Sequence, residues 1–128
     1  LRGVDVRILL PANPDHKMVY LASFYFMKLT GNKGLRFYRY QVGFMHQKTF
    51  LIDDFGVGVG TANLDTRSFR LNFEITLLSV NYELAAAMEK MFEADFACSK
   101  QVRHDEITER STLFKIGSAG ARLLSPIL

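Results

Sequence analysis

The amino-acid sequence predicts a mixed α/β fold in which helices cover a β-sheet. Short strand-like runs alternate along the chain with helical patterns, which is typical of this class. Apolar content of 48% and charged content of 23% are ordinary for a folded soluble domain. A chain of 128 residues is long enough to bury a core, so we expect residues 1–128 to form a single domain.

The first third of the chain predicts a strand, a helix and a second strand. Val4–Leu10 alternates loosely and is predicted as a buried strand. A helix should start at Asn13 as its N-cap, with Pro14 in the first helical position, and end at Gly31. Its apolar residues lie on nearly all sides, which favours burial on two sides; an aromatic surface near a lipid entrance is the alternative. Leu35–Tyr40 is the second predicted strand.

The middle of the chain predicts a hairpin, a third strand and a long helix. The hairpin strands lie near Met45–Asp53 and Val57–Asn63, and the apolar run Glu74–Val80 is of strand type. Asn81 is a helix cap for Tyr82–Lys100, the clearest helix of the sequence. Its apolar residues recur at helical spacing and predict one core-facing stripe: Leu84, Met88, Met91, Phe92 and Phe96.

Two segments are less regular. Leu64–Leu71 is predicted as a connector that can form a helical turn. The tail, Asp105–Leu128, predicts a short helix and then a second one ending near Leu124. This last helix has three open interpretations: it packs on a partner domain, lies at a membrane surface, or closes the core.

Charge and cysteine usage exclude several classes. The net charge of +3 permits an anionic partner, but no block of like charge indicates a nucleic-acid arm. No apolar run approaches the length of a membrane span, and nothing resembles a signal peptide. Cys98 is the single cysteine, and its helical context predicts a buried, inert thiol. Because the chain starts at Leu1 in a strand-like segment, we expect it to be a piece of a longer protein.

The predicted hairpin gathers four polar side chains. Residues two apart on a strand share a face, so His46 points with Lys48, and Thr61 with Asn63. Folding the chain at positions 54–55 sets Lys48 opposite Thr61 and His46 opposite Asn63. An alternative, indicated by Gly56, is a three-residue loop with a bulge, so this register is set to within one residue.

The same register predicts apolar support beneath the polar patch. It pairs Phe50 with Val59 and Ile52 with Val57 on the face that carries the histidine and the lysine.

This patch suits an anion with several oxygens. A neutral imidazole attacks an electrophile or relays a proton, Lys48 adds a positive charge, and Thr61 and Asn63 add neutral donors. Glu74 starts the next strand and is the predicted carboxylate partner that orients His46. Asp53 sits at a turn, which favours a structural role.

The sequence predicts no metal site and no cofactor. No second histidine or carboxylate lies at metal-ligand spacing from the predicted patch, and His16 and His104 are predicted as surface or capping residues.

The pattern resembles a known signature. The spacing His46-x-Lys48-x4-Asp53-x6-Gly60-Thr61-x-Asn63 is similar to the HxKxxxxD…GSxN (HKD) motif of the phospholipase D superfamily, with Thr in place of Ser. Residues 60–76 and the ending LLSPIL resemble the C-terminal half of bacterial cardiolipin synthases. The resemblance therefore implies a phospholipase D-like fold, a mixed β-sheet flanked by helices on both faces.

The resemblance also implies an activity. This family transfers a phosphatidyl group through a phosphohistidine, using two motifs that meet across a pseudo-twofold axis, without metal or cofactor. It implies that His46, Lys48, Asp53 and Glu74 form the catalytic set, while Lys48, Thr61 and Asn63 bind phosphate. Arg67 and Arg70 are candidates to steer anionic headgroups; the alternatives are that they are solvated or structural.

The implied partners are phosphatidylglycerol, a second motif from a missing N-terminal half or from another copy, and a membrane surface. The implied location is the cytoplasmic side of a bacterial cell membrane for the whole protein, with the piece itself soluble. Two alternatives stay open: a homodimeric phosphodiesterase that acts on nucleic acid, or a folded half-module without turnover.

Overall fold

A computed structural model describes residues 3–13, 17–31, 34–103, 106 and 111–124. Strands alternate with helices along these residues, which confirms the mixed α/β class. The elements, in chain order, are β1 (Val6–Pro11), α1 (Lys17–Gly31), β2 (Leu35–Tyr40), β3 (Thr49–Ile52), β4 (Gly56–Gly60), α2 (Thr66–Arg70), β5 (Thr76–Val80), α3 (Tyr82–Ala97), β6 (Ser99–Gln101) and α4 (Thr112–Leu124).

The chain divides into two compact units, one made of Leu1–Met45 and Ser99–Leu128 and the other of His46–Cys98. In the first unit β2 is the central strand of a three-stranded sheet, parallel to β1 and antiparallel to β6. Helix α1 connects the two parallel strands, as such pairs require. Met27 and Phe37 form the buried centre of this unit, packed against four further apolar side chains: Ile8, Leu10, Leu35 and Val102.

Helix α1 also contacts the tail helix α4. The rings of Phe24 and Phe114 meet edge to face with centroids 5.1 Å apart, and Ala121 of α4 is buried. Of the three interpretations left open for the tail, closing the core is therefore the one that these contacts favour. The burial of Phe24 and Met27 likewise favours a packed α1, although Phe26 is 40% exposed.

The first unit contains a partly buried cation, Arg39. The guanidinium of Arg39 donates to the Pro11 carbonyl at 3.1 Å and to Ser23 Oγ at 2.9 Å. It also lies 4.6 Å from the ring centroid of Tyr20 and 5.2 Å from that of Phe24. Burial lowers the pKa of Arg39, and the aromatic faces compensate part of the lost hydration.

The second unit is an antiparallel sheet of order β3-β4-β5 covered by α3. Ala85 and Met88 of α3 are buried with Val57 of β4, so the predicted stripe faces the core here. Leu84 was expected in this stripe but is 43% exposed, and Ala85 takes the buried position. Asn81 caps α3 as predicted, its Oδ1 accepting the Leu84 N–H at 2.8 Å.

Two expectations for the end of α3 were wrong. The helix ends at Ala97 rather than at Lys100, and Ser99–Gln101 forms β6 against β2 instead. Cys98 is exposed rather than buried. It lies ten residues after Met88, so at helical spacing it is not on the face of α3 that packs on the sheet.

Several sequence-based expectations lie outside the described residues: those for Pro14, His16, His104 and the closing segment 125–128. Among the helices that are described, none has the length and hydropathy needed to cross a bilayer.

Candidate active site

The β3–β4 hairpin pairs one residue away from the predicted register. Phe50 lies opposite Gly58, not opposite Val59. The Gly60 N–H donates to the Lys48 carbonyl at 2.9 Å, which continues the same pairing toward the motif. Lys48 is therefore aligned with Gly60 and not with Thr61.

The loop explains this shift. Ile52 pairs with Gly56, so three residues connect the strands, as Gly56 had indicated. Asp53 opens the loop with φ +48°, a left-handed conformation that aspartate tolerates better than most residues. A loop with an odd number of residues is centred on a residue, whereas the predicted fold at positions 54–55 is centred on a peptide bond. The difference moves every cross-strand partner by one residue. The expected pairing of His46 with Asn63 was wrong for the same reason.

The predicted apolar support beneath the patch was also wrong. Leu51 and Val57 face α3, and Val57 is only 3% exposed. Phe50 and Ile52 point to the other face and are 42% and 51% exposed. Because a one-residue slip exchanges the two faces of a strand, the residues expected beneath the patch are divided between both sides of the sheet.

Glu74 is the best-defined charged group of the candidate site. Its Oε2 accepts a 2.5 Å hydrogen bond from Thr61 Oγ, and its Oε1 accepts one from Asn72 Nδ2 at 3.1 Å. The hydrogen bond from Thr61, then those from Asn72 and Ser68, lower the pKa of Glu74, and the positive charge of Lys48 acts in the same direction. The carboxylate is therefore ionised at neutral pH.

Thr61 is held on both sides of its hydroxyl. Its Oγ donates to Glu74 and accepts the Ile75 N–H at 3.0 Å, while its own N–H donates to the Ile75 carbonyl at 2.9 Å. Thr61 stands where the motif usually has serine, and these bonds fix its hydroxyl beside the start of β5. The structure therefore brings Lys48, Thr61 and Glu74 of the predicted set together.

Gly60 precedes Thr61 for a steric reason. A Cβ at this position would lie 2.5 Å from the Ile75 carbonyl oxygen and 2.5 Å from Thr76 Oγ. Since the first of these atoms belongs to the backbone immediately before β5, any larger residue would push the two segments apart at the motif.

The segment that contains Asn63 is anchored by the short helix α2. Asp65 is the N-cap of this helix, and its Oδ1 accepts the Ser68 N–H at 2.7 Å. Ser68 is 6% exposed, and its Oγ accepts the Asn63 N–H at 3.1 Å. The predicted helical turn at Leu64–Leu71 is confirmed.

Sequence reasoning missed Ser68 and Asn72. The spacing Asp65-x-x-Ser68 was the available signal, because an aspartate at an N-cap bonds the N–H three residues later. Asn72 gave no comparable signal. Its Oδ1 accepts from Arg67 Nε at 3.3 Å, which turns the amide NH₂ toward Glu74.

His46 and Lys48 lie just before β3. His46 is exposed and Lys48 is half-buried, with the Lys48 ammonium donating to the His46 carbonyl at 2.8 Å. Gln47, between them, donates to Asp95 of α3 at 2.9 Å. This hydrogen bond ties the segment to the helix that covers the sheet. The contact of Glu74 with His46 stays a prediction, as does the catalytic role of Asp53.

A metal site was not expected. In the portion of the chain that the structure describes, no three His, Cys, Asp or Glu side chains cluster closely enough to hold a metal ion.

Comparisons with known proteins identify the family of this chain. Residues 1–96 match the family described as "Cardiolipin synthase, PLD-like domain". Cardiolipin synthase A of Pseudomonas fluorescens is 51% identical over all 128 residues, and that of Pseudomonas putida strain W619 is 49% identical. The chain spans 27% of the length of each of these relatives.

A solved structure supports the fold. The phospholipase D family member Nuc from Salmonella typhimurium superposes with a TM-score of 0.67 at 20% sequence identity, covering 80% of this chain and 66% of that one. The family match over residues 1–96 leads to one assignment, and the mixed α/β fold is consistent with it. The chain belongs to the phospholipase D-like domain family of the cardiolipin synthases.

Proposed function

We propose that the protein to which this chain belongs transfers a phosphatidyl group between two phosphatidylglycerol molecules, forming cardiolipin and releasing glycerol. One observation carries the proposal: Thr61, Glu74 and Lys48 are assembled in a chain that is 51% identical to Cardiolipin synthase A. The relatives are much longer than this chain, so the activity is proposed for the whole protein.

The proposed reaction has two displacements at phosphorus. A histidine nitrogen forms a P–N bond as the P–O bond to the glycerol headgroup breaks, and a second histidine protonates the departing alkoxide. A hydroxyl of the second phosphatidylglycerol then gives its proton to that second histidine, now neutral, and attacks phosphorus as the P–N bond breaks. His46 supplies one of these two histidines.

The other residues of the motif have electrostatic and orienting roles in this proposal. Lys48 and Asn63 bind phosphate oxygens, and the Thr61 hydroxyl assists them. Glu74 orients His46, and its ionised, doubly held carboxylate is suited to this task. Asp53 belongs to the motif and shapes the loop that precedes β4.

We further propose that residues 1–128 act as a single phospholipase D-like domain, the C-terminal half of a two-motif enzyme. The sequence supplies one HxKxxxxD motif, so a second must come from an N-terminal half or from another copy. The phospholipid substrate places the reaction at a membrane surface, on the cytoplasmic side in this proposal. The support for this arrangement is that the chain spans 27% of its relatives.

The test is a substitution in the whole protein. His46→Ala should lower cardiolipin formation from labelled phosphatidylglycerol by at least about 10³-fold. The change removes the imidazole that either forms the P–N bond or protonates the departing alkoxide. Binding of phosphatidylglycerol vesicles should persist. The measurement is release of labelled glycerol together with chromatography of the lipid product.

His104→Ala is the matched control, since the sequence predicts a surface or capping role for that histidine. It should retain wild-type turnover. Cardiolipin formation by the His46→Ala protein at a rate near wild type would overturn the proposal, as would a wild-type protein that cleaves DNA but leaves phosphatidylglycerol intact.

A further inference from the structure

We propose that Asn72 is a positioning residue of the active site, whose side-chain amide, oriented by Arg67, holds one oxygen of the Glu74 carboxylate. The inference deepens the proposed function and rests on it, because Glu74 is there assigned to orient His46. Asn72 acts through Glu74 and does not contact the substrate.

The backbone of Asn72 is fixed by the end of α2. Its N–H donates to the Arg67 carbonyl at 3.0 Å, and the same carbonyl accepts the Leu71 N–H at 2.9 Å. These bonds close the last turn of the helix and satisfy one of the carbonyls that a helix end leaves open. The side chain of Asn72 therefore starts from a restrained position, two residues before Glu74.

The side-chain amide of Asn72 has one orientation that suits both of its partners. Arg67 Nε donates to its Oδ1 at 3.3 Å, and its Nδ2 donates to Glu74 Oε1 at 3.1 Å. A guanidinium has no acceptor and an ionised carboxylate has no donor, so turning the amide over would lose both hydrogen bonds. Arg67 thus decides which end of the amide faces Glu74.

Asn72 complements Thr61 at the carboxylate. Thr61 Oγ donates to Oε2 at 2.5 Å, whereas Asn72 donates to Oε1, so each oxygen has its own donor. The terminal torsion of glutamate has no sharp preference, so a carboxylate held at one oxygen can still turn, and the second donor prevents this. The charged groups around this arrangement are Lys48, which lies ahead of β3, and Arg67 of α2.

This role for Arg67 differs from the steering of anionic headgroups. Steering needs a positive charge, which lysine supplies as well as arginine. Orientation of Asn72 needs a donor at the position of Nε, which lysine lacks. An arginine-to-lysine change therefore separates the two roles.

The experiment uses the whole protein with Asn72→Ala and Asn72→Asp. Asn72→Ala should lower kcat for cardiolipin formation by about 10- to 100-fold, since small displacements of catalytic groups have effects of this size. KM for phosphatidylglycerol should change little, because Asn72 does not bind the substrate. Asn72→Asp keeps the shape and the acceptor for Arg67 but sets a carboxylate oxygen against Glu74, so it should lower kcat at least as much as alanine.

The aspartate variant distinguishes positioning from a structural role. A side chain that only filled space or ended α2 would tolerate an isosteric replacement, so a wild-type kcat in Asn72→Asp would overturn the inference. Gln41→Ala is the control, because Gln41 is an exposed amide outside the motif that donates to the Arg39 carbonyl at 2.7 Å. It should leave kcat unchanged.

Arg67→Lys tests the orienting role of the guanidinium. It should lower kcat in the same direction as Asn72→Ala but by less, because Asn72 keeps its own N–H donors. A wild-type kcat in Arg67→Lys, with or without a change in KM, would overturn the part assigned to Arg67.

A titration separates this inference from the proposed function, since it needs no turnover. The Glu74 carboxyl carbon is followed by NMR in protein with ¹³C-labelled glutamate and is identified by its absence from Glu74→Gln. It should titrate at a higher pH in Asn72→Ala, because a donor to the charged form is lost. In Asn72→Asp it should titrate at a still higher pH, because a second carboxylate faces it. Gln41→Ala should not shift it.

The two failures are distinguishable. If the wild-type protein forms no cardiolipin from phosphatidylglycerol, the proposed function fails. An unshifted Glu74 titration in both Asn72 variants would overturn the inference about Asn72, even in a protein that forms cardiolipin.

Discussion

The Arg39 cluster holds a positive charge against aromatic rings, whereas the Glu74 cluster holds a negative charge among polar side chains. The first consists of Arg39 with Pro11, Tyr20, Ser23 and Phe24, and the second of Glu74 with Lys48, Thr61, Ser68 and Asn72. Burial lowers the pKa of Arg39, whereas hydrogen bonds lower the pKa of Glu74. In each cluster most of the hydrogen-bond partners are neutral.

The difference separates a structural charge from a functional one. The guanidinium lies against two aromatic rings and donates to Pro11 and Ser23 within the fold, so it stabilises the packing of α1 on β2. The carboxylate lies among polar side chains of the motif, where the neighbouring ammonium and hydroxyl can also interact with an anionic ligand. We therefore expect changes in the Glu74 cluster to affect catalysis and changes in the Arg39 cluster to affect stability.

The largest expected effect after loss of His46 comes from Lys48. Lys48→Ala in the whole protein should lower kcat for cardiolipin formation by about 10²- to 10³-fold, the usual effect of removing one charge-stabilising donor. The free energy of unfolding should change little, since the ammonium donates to the carbonyl of His46, only two residues earlier in the chain. Steady-state kinetics and urea unfolding measure the two quantities.

Lys90→Ala is the control for this change, because Lys90 is an exposed lysine on α3 of the same unit. It should retain wild-type kcat. If Lys48→Ala kept more than half of the wild-type rate, or lost its rate only through unfolding, the assignment of Lys48 to phosphate binding would be wrong.

The next effect tests the structural side of the comparison. Arg39→Ala should reduce the free energy of unfolding by about 2–3 kcal/mol, because it removes packing, leaves the Pro11 carbonyl without this donor and abolishes the cation–π contacts. The kcat of the folded fraction should stay at the wild-type value. Urea unfolding and active-site-normalised kinetics measure both.

Arg36→Ala is the matched substitution on the same strand. Arg36 pairs with Asp5 at the surface, where solvent screens the interaction, so its loss should have a much smaller effect. Equal destabilisation by the two arginine substitutions would mean that burial does not distinguish them. A large drop in kcat with Arg39→Ala would assign that cluster to function.

The smallest effect concerns the glycines beside the motif. Gly60→Ala should cost about 1–2 kcal/mol of stability, since the added methyl meets the backbone of Ile75 and Thr76 at the start of β5. Gly58→Ala should cost less, because the atoms nearest to its methyl are those at the end of the Phe50 ring, which is part of a 42% exposed side chain and can rotate away. The order of the two midpoints in urea checks this, and the reverse order would contradict it.

Much of the local structure could be predicted because its causes are local. The three aromatic residues of Leu35–Tyr40 favour a strand, which has the observed bounds. Asn81 caps α3 through a hydrogen bond three residues away, and Met88 lies on the apolar stripe of that helix. The spacing of His46, Lys48, Thr61 and Asn63 defines the family without any knowledge of the fold.

The register of the hairpin could not be predicted in the same way. Loops of two and three residues differ little in free energy, and the apolar pattern of this glycine-rich strand tolerates both. The observed choice depends on which face of the sheet α3 covers, through Leu51 and Val57. Strand β6 was not predicted for a related reason: its three polar residues form a strand only because the edge of β2 is available to pair with them.

By itself, the sequence determined the fold class, the most regular elements and the set of residues that makes a phosphate site plausible. Only the tertiary structure decided how that set is held: Thr61 against Glu74, thirteen positions away, with Asn72 and the buried Ser68 beside it. Residue identity and spacing can be read from the sequence, and they suffice to predict an interaction between residues within one turn of each other. Hydrogen bonds between distant segments depend on strand register and packing, which exist only once the sheet has formed.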